Sequence, residues 1–304
     1  MSALFFVNRA SHRVAAKGSR LEPMAAALGI ELYDVDDFKT LPEKVSQIAK
    51  NGITQIFIEG GDGTVQGVLS EFLRQAASFT TLPNFAIIAG GMTNQVAKNI
   101  GLKPARVKAA LSGNLSTKPM PLLSVKTADG NIYNGFLFST GAIPMVTEYT
   151  KNKLHKKGIG GSLAVAGGIF KGVSGSNGDV LWPTPIKLRC PDVNVSIDKN
   201  HIGTVLTTLP SLIMGLDPFW GTGEAPLRLT YIDETYSSLY RNLASIWAGN
   251  KTKDRSRHGL QSWNVNRADY EYSGPCVLDG EPLPAPSGKI SVTPSQALNF
   301  IQAR

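Results

Sequence analysis

Thr54–Thr64 reads TQIFIEGGDGT, and one unit further on Asn84–Asn94 reads NFAIIAGGMTN. Each is an apolar run that ends in two glycines and opens into residues with helical spacing, Val65–Leu73 after the first and Asn94–Ile100 after the second. Short apolar runs bounded by glycine fit strands that are buried on both faces. Glycines at a strand-to-helix turn let backbone N–H groups approach a phosphate closely, and the helix N-terminus adds partial positive charge. Both turns fall at the carboxyl ends of successive strands, the edge at which open α/β sheets bind ligands. Thr64 is placed to cap the helix or to bond a phosphate. Asp62 suits a metal ion or a hydroxyl better than a bare phosphate. A single glycine-rich turn is as well explained by a tight turn with a threonine cap; the repetition of the loop moves the balance toward nucleotide binding. The dinucleotide fingerprint does not fit, because Gln66 stands three residues after Gly63 and Gly67 comes one too late. No Walker A sequence occurs.

Working outward, Ala3–Val7 and Glu31–Val35 read as strands. Leu21, Met24 and Leu28 recur at helical spacing before Gly29, and Pro42 opens a helix that buries Val45 and Ile48 and stops at Gly52. Ala105–Leu111 continues the helical pattern. This alternation implies a parallel sheet covered on both faces. Near residue 120 the pattern changes. LLSVKTA, then Asp129-Gly130, then NIYNGFLF predicts a hairpin with a type I′ turn. Strand-like runs follow at Ile186–Arg189, Val193–Ile197, Thr204–Leu209, Leu227–Ile232, Trp263–Val265 and Val277–Leu278, a rhythm of an antiparallel sandwich or barrel. One helix, about Glu234–Ala248, interrupts them, and the least structured stretches are expected at Lys171–Gly178 and Ala248–His258. The pattern thus divides near residue 120 into an α/β part and an antiparallel β part, sandwich or barrel.

Composition narrows the function classes. The chain has 304 residues, 42% hydrophobic and 18% charged, which is globular rather than disordered. Its two cysteines, Cys190 and Cys276, exclude a disulfide framework and read as reduced thiols. No apolar run is long enough to span a bilayer, and Ile159–Phe170 is the nearest approach. The first residues, MSALFFVNRASHR, place charge after the apolar run and lack the order of a secretory signal. A net charge of +8 leans toward an anionic partner. His12, His155, His201 and His258 are scattered without metal spacing, and no Gly-x-Ser-x-Gly elbow occurs. Lys151, Lys153, His155, Lys156 and Lys157 form either a solvated face or an anionic membrane contact. Nothing resembles a nucleic-acid module, so no nucleic-acid partner is expected.

IFIEGGDGTVQGVL and FAIIAGGMTNQVAKNIGL resemble the two nucleotide loops of the diacylglycerol kinase catalytic domain family, which includes bacterial soluble lipid kinases, sphingosine kinases and ceramide kinases. Phe6–Ser11 resembles the family's opening Asn-Pro-x-Ser/Ala-Gly loop, with Arg9 in place of the proline and His12 in place of the glycine. Val277–Leu283 resembles its Asp-Gly-Glu segment, and the likeness runs from about Ala3 to Ala303. The resemblance implies an NAD kinase-like α/β nucleotide domain over 1–120, a C-terminal β-sandwich lipid domain over 121–290 with the active cleft between them, and a tail, 291–304, that returns to the first domain. It implies that Asn8, Gly60, Gly61, Asp62, Gly63 and Thr64 meet ATP phosphates or their Mg²⁺. The usual Gly-Thr-x-Asn of the second loop falls on Gly91, Met92, Thr93 and Asn94, with the threonine displaced by one. Glu281 falls on the carboxylate that takes the proton of the lipid hydroxyl. Asp279 and Glu281 would share one face if their segment were extended; taken without the family pattern, the same residues read as a solvent-facing hairpin turn. A structural metal loop of the bacterial members falls on Leu216–Leu227, with Glu224 at the ligand position and Asp217 seven residues before it.

The activity implied is an ATP- and Mg²⁺-dependent lipid kinase of phospholipid metabolism, cytoplasmic and peripheral at the membrane. It would transfer the γ-phosphoryl group to a lipid hydroxyl such as that of diacylglycerol, with Glu281 and Asp62 as catalytic residues and Asp62 and Glu224 as metal ligands. Expected partners are the lipid substrate and, transiently, an anionic membrane surface; a homodimer is left open. The alternatives are a kinase of the wider superfamily acting on NAD or a non-lipid alcohol, and a non-catalytic nucleotide or lipid sensor.

Overall fold

The computed structural model describes residues 2–142, 182–212, 217–237, 242, 245, 255–283 and 288–302. The chain divides into two units, 1–122 with 296–304, and 123–295.

The first unit is a six-stranded sheet. Its strands are β1 (Ala3–Val7), β2 (Glu31–Asp34), β3 (Gln55–Gly60), β4 (Asn84–Ala89) and β5 (Ser116–Met120), joined by the last strand of the chain, β17 (Leu298–Gln302). The order is β2-β1-β3-β4-β17-β5, parallel except where β17 meets β5. Every residue of β3 is buried, as a strand with helices on both faces requires. Phe5, Phe57, Ala86 and Ile88 point to one face, against Val14 and Ala25 of helices α1 (His12–Lys17) and α2 (Glu22–Leu28). Phe6 and Phe85 point to the other, where Phe72 of α4 (Asp62–Arg74) meets both edge-on at centroid distances of 6.4 and 5.1 Å. The ridge of α3 (Leu41–Lys50) buries Val45 and Ile48. Two short helices follow the second glycine turn, α5 (Gln95–Ile100) and α6 (Val107–Leu111).

The second unit is antiparallel throughout. It contains β6 (Leu123–Thr127), β7 (Ile132–Gly135), β8 (Leu137–Gly141), β9 (Thr184–Cys190), β10 (Val195–Thr207), β11 (Leu227–Asp233), β12 (Leu260–Val265), β13 (Ala268–Tyr272), β14 (Cys276–Leu278), β15 (Glu281–Pro282) and β16 (Gly288–Pro294). Hydrogen bonding links all eleven in one ladder. β10 is the hinge of that ladder. Its first half pairs β9; beyond a bulge between His201 and Gly203 its second half lies between β8 and β11. The two arms close on one core, in which Leu188, Tyr270 and Ile290 pack with Leu206, Leu229 and Tyr231. The sequence split β10 into two runs. The polar stretch Asp198–Asn200 looks like a turn, yet it pairs continuously with Lys187, Ile186 and Pro185.

Two turns differ from their sequence reading. At Asp129-Gly130 only Gly130 has positive φ (86°), and the Thr127 N–H bonds Asn131 O (3.0 Å) across a three-residue loop. This is a type I turn closed by a left-handed glycine rather than a type I′ turn. The conformation expected there occurs instead at Asp279-Gly280, where both φ values are positive, 52° and 89°. Asp279 and Glu281 therefore do not lie along one extended face. The predicted helix Glu234–Ala248 lies largely outside the described residues. The Lys151–Lys157 cluster, Ile159–Phe170 and Lys171–Gly178 lie wholly outside them.

Candidate nucleotide site

Strands β1, β3 and β4 end side by side, and the loops that follow them are built against one another. Gly90 N–H donates to Gly60 O (2.9 Å), and Asn8 N–H to Glu59 O (3.0 Å). The glycines are required by contact. A Cβ on Gly90 would stand 2.8 Å from the Gly60 nitrogen, and one on Gly91 would stand 2.5 Å from Gly61 Cα. Backbone atoms cannot yield at such distances, so any side chain here would push the two loops apart.

The polar groups are divided between holding the loops and facing outward. Ser11 Oγ accepts the Gly61 N–H (3.1 Å). Asn94 sits at φ 50° and folds its amide back on Gly91, accepting from its N–H and donating to its carbonyl, both at 2.8 Å. Asp62 reaches across to the second loop. Its two oxygens accept the N–H groups of Gln95 (3.0 Å) and Val96 (2.8 Å), the first two of α5. A carboxylate at that end of a helix satisfies open donors and the helix dipole together. Thr64 does not cap α4. Gly61 holds that position, Thr64 is the third helical residue, and its buried hydroxyl accepts from Asn8 Nδ2 (2.9 Å). The N-cap of α4 is a glycine, so no cap side chain takes up its first-turn N–H groups. Asn8 Oδ1 is buried and accepts no hydrogen bond among the described residues. Thr93 is half-buried, while Met92 stands exposed at the loop tip.

Glu59 and Arg13 escaped the sequence reading, and Ser11, quoted in the opening loop, was given no role there. Glu59 ends the strand IFIE with no exposure at all, and the Arg13 guanidinium pairs with it. The signal was present: a carboxylate inside a strand buried on both faces must have partners nearby. Arg9, which stands where the resembling loop has proline, is exposed and paired with Glu22 and Asp34.

In the second unit, Glu281 is exposed, directly after the tight turn that joins β14 to β15. Asp279 serves that turn. Its carboxylate accepts the N–H groups of Phe136 (2.9 and 3.0 Å) and Leu137 (2.8 Å), and its own N–H bonds Leu137 O (2.8 Å). Glu224 is exposed, and Asp217 is taken by Arg228 (2.5 Å). Among the described residues no three His, Cys, Asp or Glu side chains converge on a point that could hold a metal. Both cysteines are buried and unpaired, with thiol pKa values pushed up by burial, to about 12 at Cys190 and about 11 at Cys276. They are core residues. No helix among the described residues is long and apolar enough to cross a membrane.

Residues 2–125 match the family model of the diacylglycerol kinase catalytic domain, which bears out the resemblance carried by the two glycine loops. No curated protein matches the chain. Among solved structures, a diacylglycerol kinase from Bacillus anthracis strain Sterne superposes with a TM-score of 0.61 at 14% identity, over 99% of this chain and 97% of that one. A candidate diacylglycerol kinase from the same strain gives 0.64 at 16%, over 96% and 94%. At these identities the likeness establishes the two-part fold. An NAD kinase from Archaeoglobus fulgidus in complex with ATP aligns with a TM-score of 0.49 at 11% identity, over 99% and 93%.

Proposed function

We propose that the chain is an ATP-dependent kinase that moves the γ-phosphoryl group to the hydroxyl of a lipid such as diacylglycerol. The observation that carries this reading is the pair of glycine turns in backbone contact at the carboxyl edge of β3 and β4. Such an edge suits a polyphosphate: it is narrow, rich in N–H groups and flanked by the start of a helix. The amides of Gly61 and Gly91 are already bonded, so the first turn of α4, Asp62–Thr64, is the better phosphate donor.

Magnesium fits the oxygen donors here. Asn8 Oδ1 is a buried acceptor in need of a partner, and a carboxylate bonded to two amides, as Asp62 is, keeps lone pairs free. Mg²⁺ takes one or two protein oxygens besides phosphate and water. Asn8 and Asp62 would hold it, and when bound it would neutralise charge on the transferring phosphoryl group.

The acceptor hydroxyl is a weak nucleophile until its proton has somewhere to go. Glu281 is the residue that would take it. It is exposed, and the turn before it is held rigidly by Asp279. We place the enzyme in the cytoplasm, drawing its acceptor from an anionic membrane surface.

The test is a kinase assay with Mg-ATP against diacylglycerol, sphingosine, ceramide and NAD, run beside ATP calorimetry. Phosphorylation of a lipid is expected. NAD phosphorylation would move the enzyme to the wider superfamily, and ATP binding without turnover on any acceptor would make it a sensor. Glu281→Gln should lower kcat about 10²–10⁴-fold, the usual worth of a general base, with ATP affinity kept. Unchanged turnover would remove Glu281 from the mechanism.

A further inference from the structure

Beneath the three loops lies an ion pair whose carboxylate is wholly buried and whose guanidinium is largely so. Glu59 is the last residue of β3 before its terminal glycine and is wholly buried. It accepts from Ser19 Oγ (2.6 Å) and from the backbone N–H groups of Arg20 (2.9 Å) and Leu21 (3.1 Å), which fixes the connection between α1 and α2. Arg13, on α1, donates one Nη2 to Glu59 and to Gly18 O (3.3 Å). Its Nε donates to Ala89 O (3.0 Å), at the end of β4, and its backbone N–H to Gly90 O (2.9 Å). The Glu59 carbonyl meanwhile accepts the Asn8 N–H. The ion pair thus connects the ends of β3 and β4 to the start of α1, just beyond the loop that follows β1.

We propose that Arg13 and Glu59 are positioning residues for nucleotide binding, setting how far apart the loops at 8–12, 60–64 and 89–94 stand. The proposal rests on the nucleotide reading given above. Loops that share a triphosphate must be held to fractions of an ångström. The glycine contacts set how near they can come, since nothing there can be compressed. Contacts of that kind do not stop them separating. Arg13 does, because its guanidinium is bonded at once to the β4 end and to a carboxylate rooted in β3. Arginine suits this position because its planar fork bonds several acceptors in fixed directions, which a lysine ammonium cannot do.

Breaking a buried pair on one side leaves a lone charge and destabilises the fold, whereas removing both charges together is often neutral. The informative variant is therefore Arg13→Met with Glu59→Gln, in which the glutamine oxygen still serves the Arg20 and Leu21 amides. Arg13→Lys, which keeps the charge but loses the fork, is its companion. Thermal unfolding, ATP calorimetry and steady-state kinetics are measured on each full-length protein. The double variant should melt within a few degrees of the parent yet show KM for ATP raised at least tenfold, with KM for the acceptor unchanged. Arg13→Lys should raise KM for ATP several-fold at an unchanged melting temperature. A folded double variant with parental ATP affinity would overturn the proposal and leave the pair a matter of stability alone. Should the double variant not fold, Arg13→Lys with parental KM for ATP would overturn it equally. Failure of the parent protein to bind ATP would instead strike the nucleotide reading, so the two failures are distinguishable.

Discussion

His201 shows how one buried residue ties pH to stability. It lies on β10 at the bulge, with no exposure. Its Nδ1 faces the carbonyl of Thr184 (2.9 Å), which can only accept, so Nδ1 carries the proton. Nε2 then accepts from the Thr140 hydroxyl (2.9 Å), which itself accepts from Thr204 Oγ1 (2.8 Å). The ring stacks on Tyr231 and meets Tyr272 edge-on, while Asp233, opposite on β11, is paired with Lys199. Burial holds the imidazole pKa below its usual value, against a smaller upward pull from the Thr184 carbonyl. The folded state therefore binds fewer protons than the unfolded one. The stabilisation is fully present above about pH 6.5, the unperturbed value, and is lost as pH falls toward the folded pKa. Urea unfolding at pH 7.5, 6 and 5 should show a steep loss in the parent and a shallower one in His201→Gln. Equal slopes would show that other groups govern the acid side.

At the scale of elements, the legible parts were those whose local chemistry agrees with their surroundings. The strand-glycine-helix units at 55–74 and 84–100 were readable because buried parallel strands must be continuously apolar and their turns must be glycine. The antiparallel half was readable as a class but not strand by strand. β13 and β16 were missed, since alternation with charged residues such as Asp269, Glu271 and Lys289 resembles loop sequence. At 279–280 the sequence left an extended segment and a hairpin turn both open, and could not choose because the role of Asp279 depends on partners 142 and 143 residues away in sequence. That role yields a prediction. Asp279→Ala leaves the Phe136 and Leu137 N–H groups without an acceptor, which costs about 1–3 kcal/mol, and places a Cβ residue with no compensating side-chain bond at positive φ, which adds about 1–2. Asp279→Asn keeps an acceptor and tolerates the left-handed region, so its loss should be much smaller. Urea unfolding of the two variants checks the order, and an equal loss would mean that the carboxylate bonds contribute nothing particular.

At the scale of the whole molecule, the chain leaves its first unit at Leu122 and comes back at Gln296. The returning strand β17 is inserted between β4 and β5, which do not pair with each other. Leu298, Phe300 and Ile301 are buried there, and Phe300 extends the aromatic row of Phe72 and Phe85. Each such side chain is worth about 1.5–3 kcal/mol when buried, and a domain is stable by only about 5–15 kcal/mol in total. The strand therefore carries a large share of the first unit's stability, although it lies far from the rest in sequence. Sequence placed the residues after 290 as a returning tail on the strength of the family resemblance alone; nothing in LNFIQ names its neighbours. A chain ended at Ser295 should lose amide protection in β3 and β4, where the nucleotide loops are rooted, while β9, β13 and β16 stay protected. Hydrogen exchange followed by mass spectrometry separates the two units directly. Adding a synthetic peptide of residues 296–304 should restore protection to β4 first, because β4 is the parallel neighbour it completes. Protection of β3 and β4 that survives the truncation would mean that the remaining strands hold the nucleotide edge together on their own.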